Sequence, residues 1–325
     1  AGGSFPPRLA GALEAHLGLL VEGVADDPVR IEVENGAATV EPATTWGAET
    51  PETCRAQDGA VACIGPAGEQ EVAFATIASD EGEHHAGRGG AGAVMGSKRL
   101  KAVVARGEPP AGPEDLRERV VSAYRANSVG QWQEASGTVE TVDFAAETNV
   151  LAAMGWRDRG FDGAEDIGIE AVRERARERE HDGPIPGGFR VETDEGETVP
   201  RGATAMTLGA GLGLEEFDAV AELGERCNRL GLDLISGGNA IALAIRLAEA
   251  GVLHDGGGDE DPVAEEIVGD HLAFGDPEGA RALLEAIAAR SNDLADTLAE
   301  GVGRAAAALD AEGYIPTVKT MALPA

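Results

Sequence analysis

Apolar and polar residues alternate with a period of two near the start of the chain. Val29, Ile31 and Val33 are separated by charged residues, and Ala38 and Val40 follow Asn35-Gly36. An Asn-Gly pair between alternating runs predicts a two-residue hairpin turn. That register sets Val33 opposite Ala38 and Ile31 opposite Val40, with the apolar side chains on one face. Further strands are predicted at 18–22, 61–64, 72–77 and 101–106. Pro109, Pro110 and Pro113 mark a boundary. Beyond it the period turns helical. Leu116, Val120 and Tyr124 form one stripe, Phe217, Val220, Gly224 and Cys227 a second, and Leu294, Leu298 and Val302 a third. Asp276-Pro277-Glu278 reads as a helix start, with an acidic cap and proline at the first helical position. The runs 173–180 and 256–261 read as a solvated helix end and a loop, and there is no internal repeat. Strands followed by helices predict an α+β fold: a β-rich domain over 1–108, then an all-α domain over 109–325.

Composition narrows the partners. The chain has 325 residues with 58 acidic and 26 basic ones, a net charge of −32. Such a field argues against nucleic acid and anionic membrane. Only Lys98, Lys101 and Lys319 are lysines, and the acidic excess runs along the whole chain, which points to adaptation to high salt. No apolar run approaches the roughly 18 residues of a membrane span. Ala1-Gly2-Gly3-Ser4 carries none of the features of a signal peptide, and both ends read as cut. Cys54, Cys63 and Cys227 are too few and too scattered for a disulfide framework, a zinc site or a cluster site. Buried free thiols in a reducing cytoplasm are the expectation.

The densest motif is residues 86–98, Ala-Gly-Arg-Gly-Gly-Ala-Gly-Ala-Val-Met-Gly-Ser-Lys. Glycines this crowded let a backbone approach a ligand closely and leave N–H groups for an anion. Gly87, Gly89 and Gly92 match Gly-x-Gly-x-x-Gly, but a strand is expected to follow almost at once, where a dinucleotide fingerprint opens a long helix. Ser97-Lys98 stands in the wrong order for a P-loop. The plain alternative is a tight connection between strands.

Around this loop the order of segments is distinctive. Cys63-Ile64-Gly65-Pro66-Ala67-Gly68-Glu69 precedes it, residues 72–77 run between, and Arg99-Leu100-Lys101-Ala102-Val103 follows. This order resembles the N-terminal domain of the aldehyde ferredoxin oxidoreductase family. Asn228-Arg229-Leu230-Gly231-Leu232-Asp233, with Ser236-Gly237 behind it, resembles that family's Asp-x-x-Gly-Leu-Asp/Cys pterin motif, with Asn in first place. Phe274-Gly275-Asp276, Val318-Lys319 and Leu323-Pro324-Ala325 also resemble family segments, and the likeness is weakest at 140–200. The resemblance implies a two-sheet β-rich first domain over a bis-pterin tungsten cofactor, followed by helical domains with one pterin motif each. It implies oxidation of a small aldehyde by water to a carboxylic acid, with electrons leaving through a [4Fe–4S] cluster to ferredoxin. Homo-oligomeric assembly is compatible with it. Carried onto this chain, the tungstopterin-binding positions are Gly2, Gly3, Arg88, Gly89, Gly90, Gly92, Asn228, Gly231, Leu232 and Asp233. No catalytic or metal-ligating residue is assigned. The start of the first domain and the whole third domain are expected to be missing. The glycine loop and residues 228–233 are expected to face one cleft, with Arg88 toward pterin phosphate and Asp233 and the Asn228 carbonyl toward the ring edge. The alternative for Arg88 is a pairing with a surface carboxylate.

The chain also departs from the family. Anchored on Pro184-Ile185, the three cluster cysteines of the second domain become Glu180, Gly183 and Gly187, which cannot form a thiolate set. His181 and Asp182 fit an exposed turn better than a metal site. The family's Glu before Thr is Ala203 before Thr204, which removes a candidate proton-transfer group. A catalytically impaired pterin-binding or interaction subunit is therefore the second reading. His84-His85, the carboxylates Glu192, Asp194, Glu195 and Glu197, the pair Ser97 and Lys98, and Trp46, Trp132 and Trp156 are weaker candidates. Each is read first as a loop, surface or core residue.

Overall fold

A computed structural model describes residues 19–107, 113–179, 187–194, 196–253 and 272–323. Gly2, Gly3, Pro109, Pro110, Glu195 and the stretches 180–186 and 256–261 lie outside the described residues.

Strands β1 (Val29–Glu34) and β2 (Ala37–Pro42) form the predicted hairpin. Val33 pairs with Ala38 and Ile31 with Val40. Asn35 and Gly36 have φ of 49° and 76°, the left-handed pair that a type I′ turn requires. The shared buried face holds only for β1. Ile31 and Val33 are buried, whereas β2 is an exposed edge strand with Val40 65% exposed. The sheet continues through β3 (Ala60–Cys63), β4 (Ile77–Ser79), β5 (His84–Ala86) and β6 (Leu100–Arg106), in the order β2-β1-β6-β3-β4-β5. Among the described residues this domain has one six-stranded sheet rather than two. It is covered on both faces. Ile31, Val33, Ala62, Ile64 and Leu100 pack with Met95 on one side, and Val61, Cys63, Ala78, Ala102 and Val104 pack with Cys54 on the other. Lys101 is fully buried in β6. Its ammonium donates to the Ala48 carbonyl at 2.7 Å and pairs with Glu69, the partner such a buried charge needs.

Three expectations fail here. Residues 19–22 are not a strand, and of 72–77 only Ile77 enters the sheet. The glycine stretch does not run straight into a strand either. Helices α1 (Thr50–Arg55), α2 (Pro66–Glu69) and α3 (Ala91–Ser97) accompany the sheet, and α3 occupies the second half of the glycine motif.

The second domain is mostly helical: α4 (Glu114–Arg125), α5 (Ser128–Ser136), α6 (Thr141–Glu147), α7 (Ala164–Ile167), α8 (Ile169–Arg175), α9 (Phe217–Leu230), α10 (Leu234–Glu249), α11 (Pro277–Ala289), α12 (Asp293–Ala299) and α13 (Val302–Ala308). It is not all-α. Hairpins β7 (Ala152–Ala153) with β8 (Asp158–Arg159) and β12 (Thr317–Val318) with β13 (Met321–Ala322) interrupt it. A small sheet joins β9 (Glu178–Arg179), β10 (Phe189–Thr193) and β11 (Gly196–Thr198).

The second helical stripe is buried in α9, where Phe217, Val220 and Cys227 are at most 3% exposed. The third is split between α12 and α13, because Gly301 breaks the helix with φ 89°. The first stripe forms a helix as predicted but is not a core face: Leu116 and Val120 are 49% and 56% exposed, and α4 buries no residue. Asp276 caps α11 by accepting from Glu278 N and Gly279 N at 2.9 and 3.1 Å. No helix among the described residues is long and apolar enough to cross a membrane.

His85, beside the glycine loop, is held inside the first domain. One ring nitrogen meets the Thr76 hydroxyl and the other the Gly82 carbonyl, both at 2.7 Å. Burial pushes its pKa down from 6.5 to about 4. The folded protein therefore resists a proton that the unfolded chain accepts. Stability from this group is fully present above pH ~6.5 and is lost as pH falls toward ~4, a difference of about 3 kcal/mol at most. Urea unfolding of wild type and His85→Gln between pH 7 and 4 measures it. The wild-type advantage should shrink as pH falls, and an advantage constant with pH would refute the neutral buried ring.

Candidate functional site

The site grows from the contact between the two domains. Residues 72–76 leave the sheet because their backbone groups pair across that contact. Ala75 bridges Leu232, Thr76 N donates to Gly231 O at 2.8 Å, and Asp233 N donates to Phe74 O at 3.1 Å. Ala73 N donates to Ala299 O at 2.8 Å. The Thr50 hydroxyl donates to Asn228 O at 2.8 Å, and Glu49 and Glu52 hold Arg226 and Arg229.

Residues 228–233 are a helix end followed at once by a helix start. Gly231, with φ 75°, terminates α9 in the left-handed conformation that favours glycine. Leu232 is buried and turns the chain, and Asp233 caps α10. Asp233 Oδ2 accepts from Ser236 N at 3.0 Å and from its hydroxyl at 2.6 Å. Burial raises the Asp233 pKa, with the Ser236 hydrogen bonds and Arg88 opposing it.

The glycine loop and this connector do come together. Arg88 Nη1 stands 3.9 Å from Asp233 Oδ2, and Arg88 Nη2 donates to Ala322 O at 2.7 Å. Nη1 is buried and makes no hydrogen bond. Arg88 and Gly89 line a cavity of about 230 Å³ with Phe74, Ser236, Arg304 and Met321. A guanidinium with an unsatisfied buried donor beside a cavity fits an anionic group such as a phosphate.

The assigned residues divide in two. Arg88 and Gly89 border the cavity, and Asp233 lies behind them. Gly92 is a packing residue instead. Its N–H donates to Ala75 O, and a Cβ there would come within 2.4 Å of Thr76 O. The N–H expected to be free for an anion is therefore already used. Gly90 presses on the Ala73 carbonyl in the same way. The Asn228 carbonyl accepts from Thr50 and from Gly231 N, and its side chain lies 3.5 Å from Glu225, so it is occupied away from the cavity. Leu232 and Gly231 shape the connector.

The weaker candidates resolve as scaffold. His85 has both nitrogens committed. The Ser97 hydroxyl bonds Val94 O, and Lys98 bonds Gly23 O. Glu192 and Glu197 lie on a solvated hairpin with Arg177 and Arg190 nearby. Trp46 packs beside the sheet, and Trp156 donates to Asn239 Oδ1 at 3.0 Å. Thr204 holds Arg201 N, closing a helical turn. Sequence reasoning missed Arg304 and Met321 on the cavity wall, since neither stands in a motif. It also missed a cavity of about 740 Å³ between α7, α8 and the start of α9, lined by acidic residues including Glu165, Glu170 and Asp218.

The cysteines do not converge as cluster ligands. Cys227 is enclosed in the helical core, and Cys54 and Cys63 face each other in the first domain. Among the described residues no group of three or more His, Cys, Asp or Glu could hold a metal ion.

Comparison with known proteins agrees with this architecture. Residues 1–107 match the aldehyde ferredoxin oxidoreductase N-terminal domain, and residues 115–325 match aldehyde ferredoxin oxidoreductase domains 2 and 3. A tungsten-containing aldehyde ferredoxin oxidoreductase of Pyrococcus furiosus is 33% identical over 347 residues, covering 100% of this chain and 55% of that protein. An aliphatic sulfonate oxidoreductase, WOR-like subunit, of the same organism is 26% identical, covering 89% of this chain and 50% of its own length. The chain thus spans about half the length of the curated relatives it matches. The active-site complex BamBC of benzoyl coenzyme A reductase shares the fold, with a TM-score of 0.68 at 22% identity over 90% of this chain and 47% of that one. The chain belongs to the aldehyde ferredoxin oxidoreductase family.

Proposed function

We propose that the chain is the pterin-holding part of an oxidoreductase that converts a small aldehyde to a carboxylic acid at a tungstopterin, with ferredoxin as electron acceptor, in the cytoplasm. The observation that carries this is Arg88: a buried, unsatisfied guanidinium nitrogen beside a cavity at the domain contact, 3.9 Å from Asp233. When bound, the tungsten cofactor supplies the two-electron chemistry. The chain's own residues bind and orient it. Arg88 takes an anionic phosphate, Gly89 leaves room for its approach, and Asp233 fixes the start of α10 beneath it through Ser236. The closed backbone pairing from 73 to 76 keeps water from that side. Gly2 and Gly3 belong to the same proposed site. The division into 1–108 and 109–325 is proposed as the two structural units that form it.

A second reading is a pterin-binding subunit without the redox chemistry. It is favoured by Ala203, which offers no proton-transfer group, and by thiols lodged away from any shared cluster site.

Arg88→Ala should lower pterin occupancy of the purified full-length protein by about 10- to 100-fold, the range for losing charge-assisted hydrogen bonds. Fluorescence of the acid-released, oxidised pterin measures it, with circular dichroism as the fold control. Undiminished pterin in a folded variant would remove Arg88 from the site.

Elemental analysis of the full-length protein separates the two readings by its tungsten or molybdenum, which only the first requires. We expect tungsten or molybdenum without one cluster's worth of iron and acid-labile sulfide per chain held at 180–188. Stoichiometric iron and sulfide there would contradict the ligand argument.

The acidic surface is read as salt adaptation. The melting temperature should then rise by several degrees between about 0.1 M and 2 M KCl as self-repulsion is screened. An unchanged or falling midpoint would refute it.

A further inference from the structure

We propose that Cys54 and Cys63 form a redox-active dithiol, which closes to an intramolecular disulfide when Cys54 reacts with a small hydroperoxide. The two sulfurs are 3.6 Å apart, on α1 and β3. A disulfide bond is about 2.05 Å long, so the sulfurs need to approach by ~1.5 Å to close the pair.

The two thiols are not equivalent. Cys54 is 7% exposed and lines a cavity of about 340 Å³ with Arg55, Gln57, Asp58, Asp80 and Glu81. That space is large enough to admit a small hydroperoxide. Cys63 is 0% exposed and lies behind Cys54. The hydrogen bond shared with Cys63 lowers the Cys54 pKa, against burial and the Glu81 and Asp80 carboxylates. The same bond, with burial, holds Cys63 well above the usual thiol range. Access and acidity therefore agree: Cys54 is oxidised first and Cys63 resolves.

The steps balance. The Cys54 thiolate attacks one peroxide oxygen, the O–O bond breaks, and the departing alkoxide or hydroxide takes a proton. Cys54 is then a sulfenic acid. The Cys63 sulfur attacks the Cys54 sulfur, the S–O bond breaks, and hydroxide leaves with the Cys63 proton as water. Two thiols and one hydroperoxide give one disulfide, one water and one alcohol, or two waters from hydrogen peroxide. The sulfurs lose two electrons and the peroxide gains them.

The position gives the bond a consequence. Helix α1 carries Thr50, bonded to Asn228 O, and Glu52, paired with Arg229. After β3, Gly65 lies against the Leu230 carbonyl so closely that a Cβ would come within 2.4 Å of it. The disulfide would tie together the two first-domain elements that grip the end of α9. This holds whether or not a cofactor binds nearby. Cys227 is an internal control: it is 0% exposed, burial raises its pKa, and it takes no part in the Cys54–Cys63 contact.

The test treats the full chain with hydrogen peroxide, then alkylates it under denaturing conditions and maps the peptides by mass spectrometry. The expected result is loss of two of the three alkylatable thiols, a linked Cys54–Cys63 peptide and full recovery with dithiothreitol. Cys227 should stay alkylatable. Dimedone should trap Cys54 in Cys63→Ser, and Cys63 should stay unmodified in Cys54→Ser. Wild type answers the question without either variant. Three thiols still free after treatment, Cys54 over-oxidised with no linked peptide, or Cys227 oxidised as fast as Cys54 would each overturn the proposal.

Discussion

Backbone pairing across the domain contact is the constraint on which the rest depends. A buried peptide group must find a partner or lose a hydrogen bond's worth of stability. Residues 73 to 76 could have paired within the sheet. They pair with Gly231, Leu232, Asp233 and Ala299 instead, and Gly92 pairs back onto Ala75. One extended segment thus serves the second domain on one side and the glycine loop on the other. The dense glycines follow from this, since side chains at Gly90 or Gly92 would push the segments apart.

The ion pairs around the contact act differently. Arg226 and Arg229 meet Glu49 and Glu52, and Arg226 also reaches Glu285. Partly exposed pairs of this kind contribute little net stability each, because solvent screens them and desolvation offsets the attraction. They join the last turns of α9 to the start of α1. The apolar core of α9, α10, α11 and α12 supplies the bulk of the burial.

Arg88 sits where these effects meet. In a chain of net charge −32 the long-range field repels an anion. A binding position for one must therefore be local and enclosed, and under the reading proposed above the loop around Arg88 is that position. An unpaired buried donor costs roughly 1–3 kcal/mol, so a partner at Nη1 would return that to the folded state. Under that reading, ligand binding and docking of the domains are linked.

What the sequence determined by itself was local and periodic. The Asn35-Gly36 turn, the register of β1 with β2, the cap at Asp276 and the buried stripe of α9 depend on near neighbours, and all were legible. The order of motifs was also enough to identify the family and to place Arg88 opposite Asp233. Tertiary structure alone decided what depends on distant partners. Residues 72–76 have the alternation of a strand, yet their partners across the contact, residues 231–233 and Ala299, lie far along the chain. The stripe of α4 has the period of a core helix but meets no core, and β2 has the pattern of a packed strand but is an edge. Gly92 looks like a ligand-facing glycine until its N–H is found bonded to Ala75. Nine residues of separation say nothing about two cysteines, until a helix and a strand bring their sulfurs to 3.6 Å. Periodicity records which side of an element is apolar, and only the assembled chain determines what lies against it.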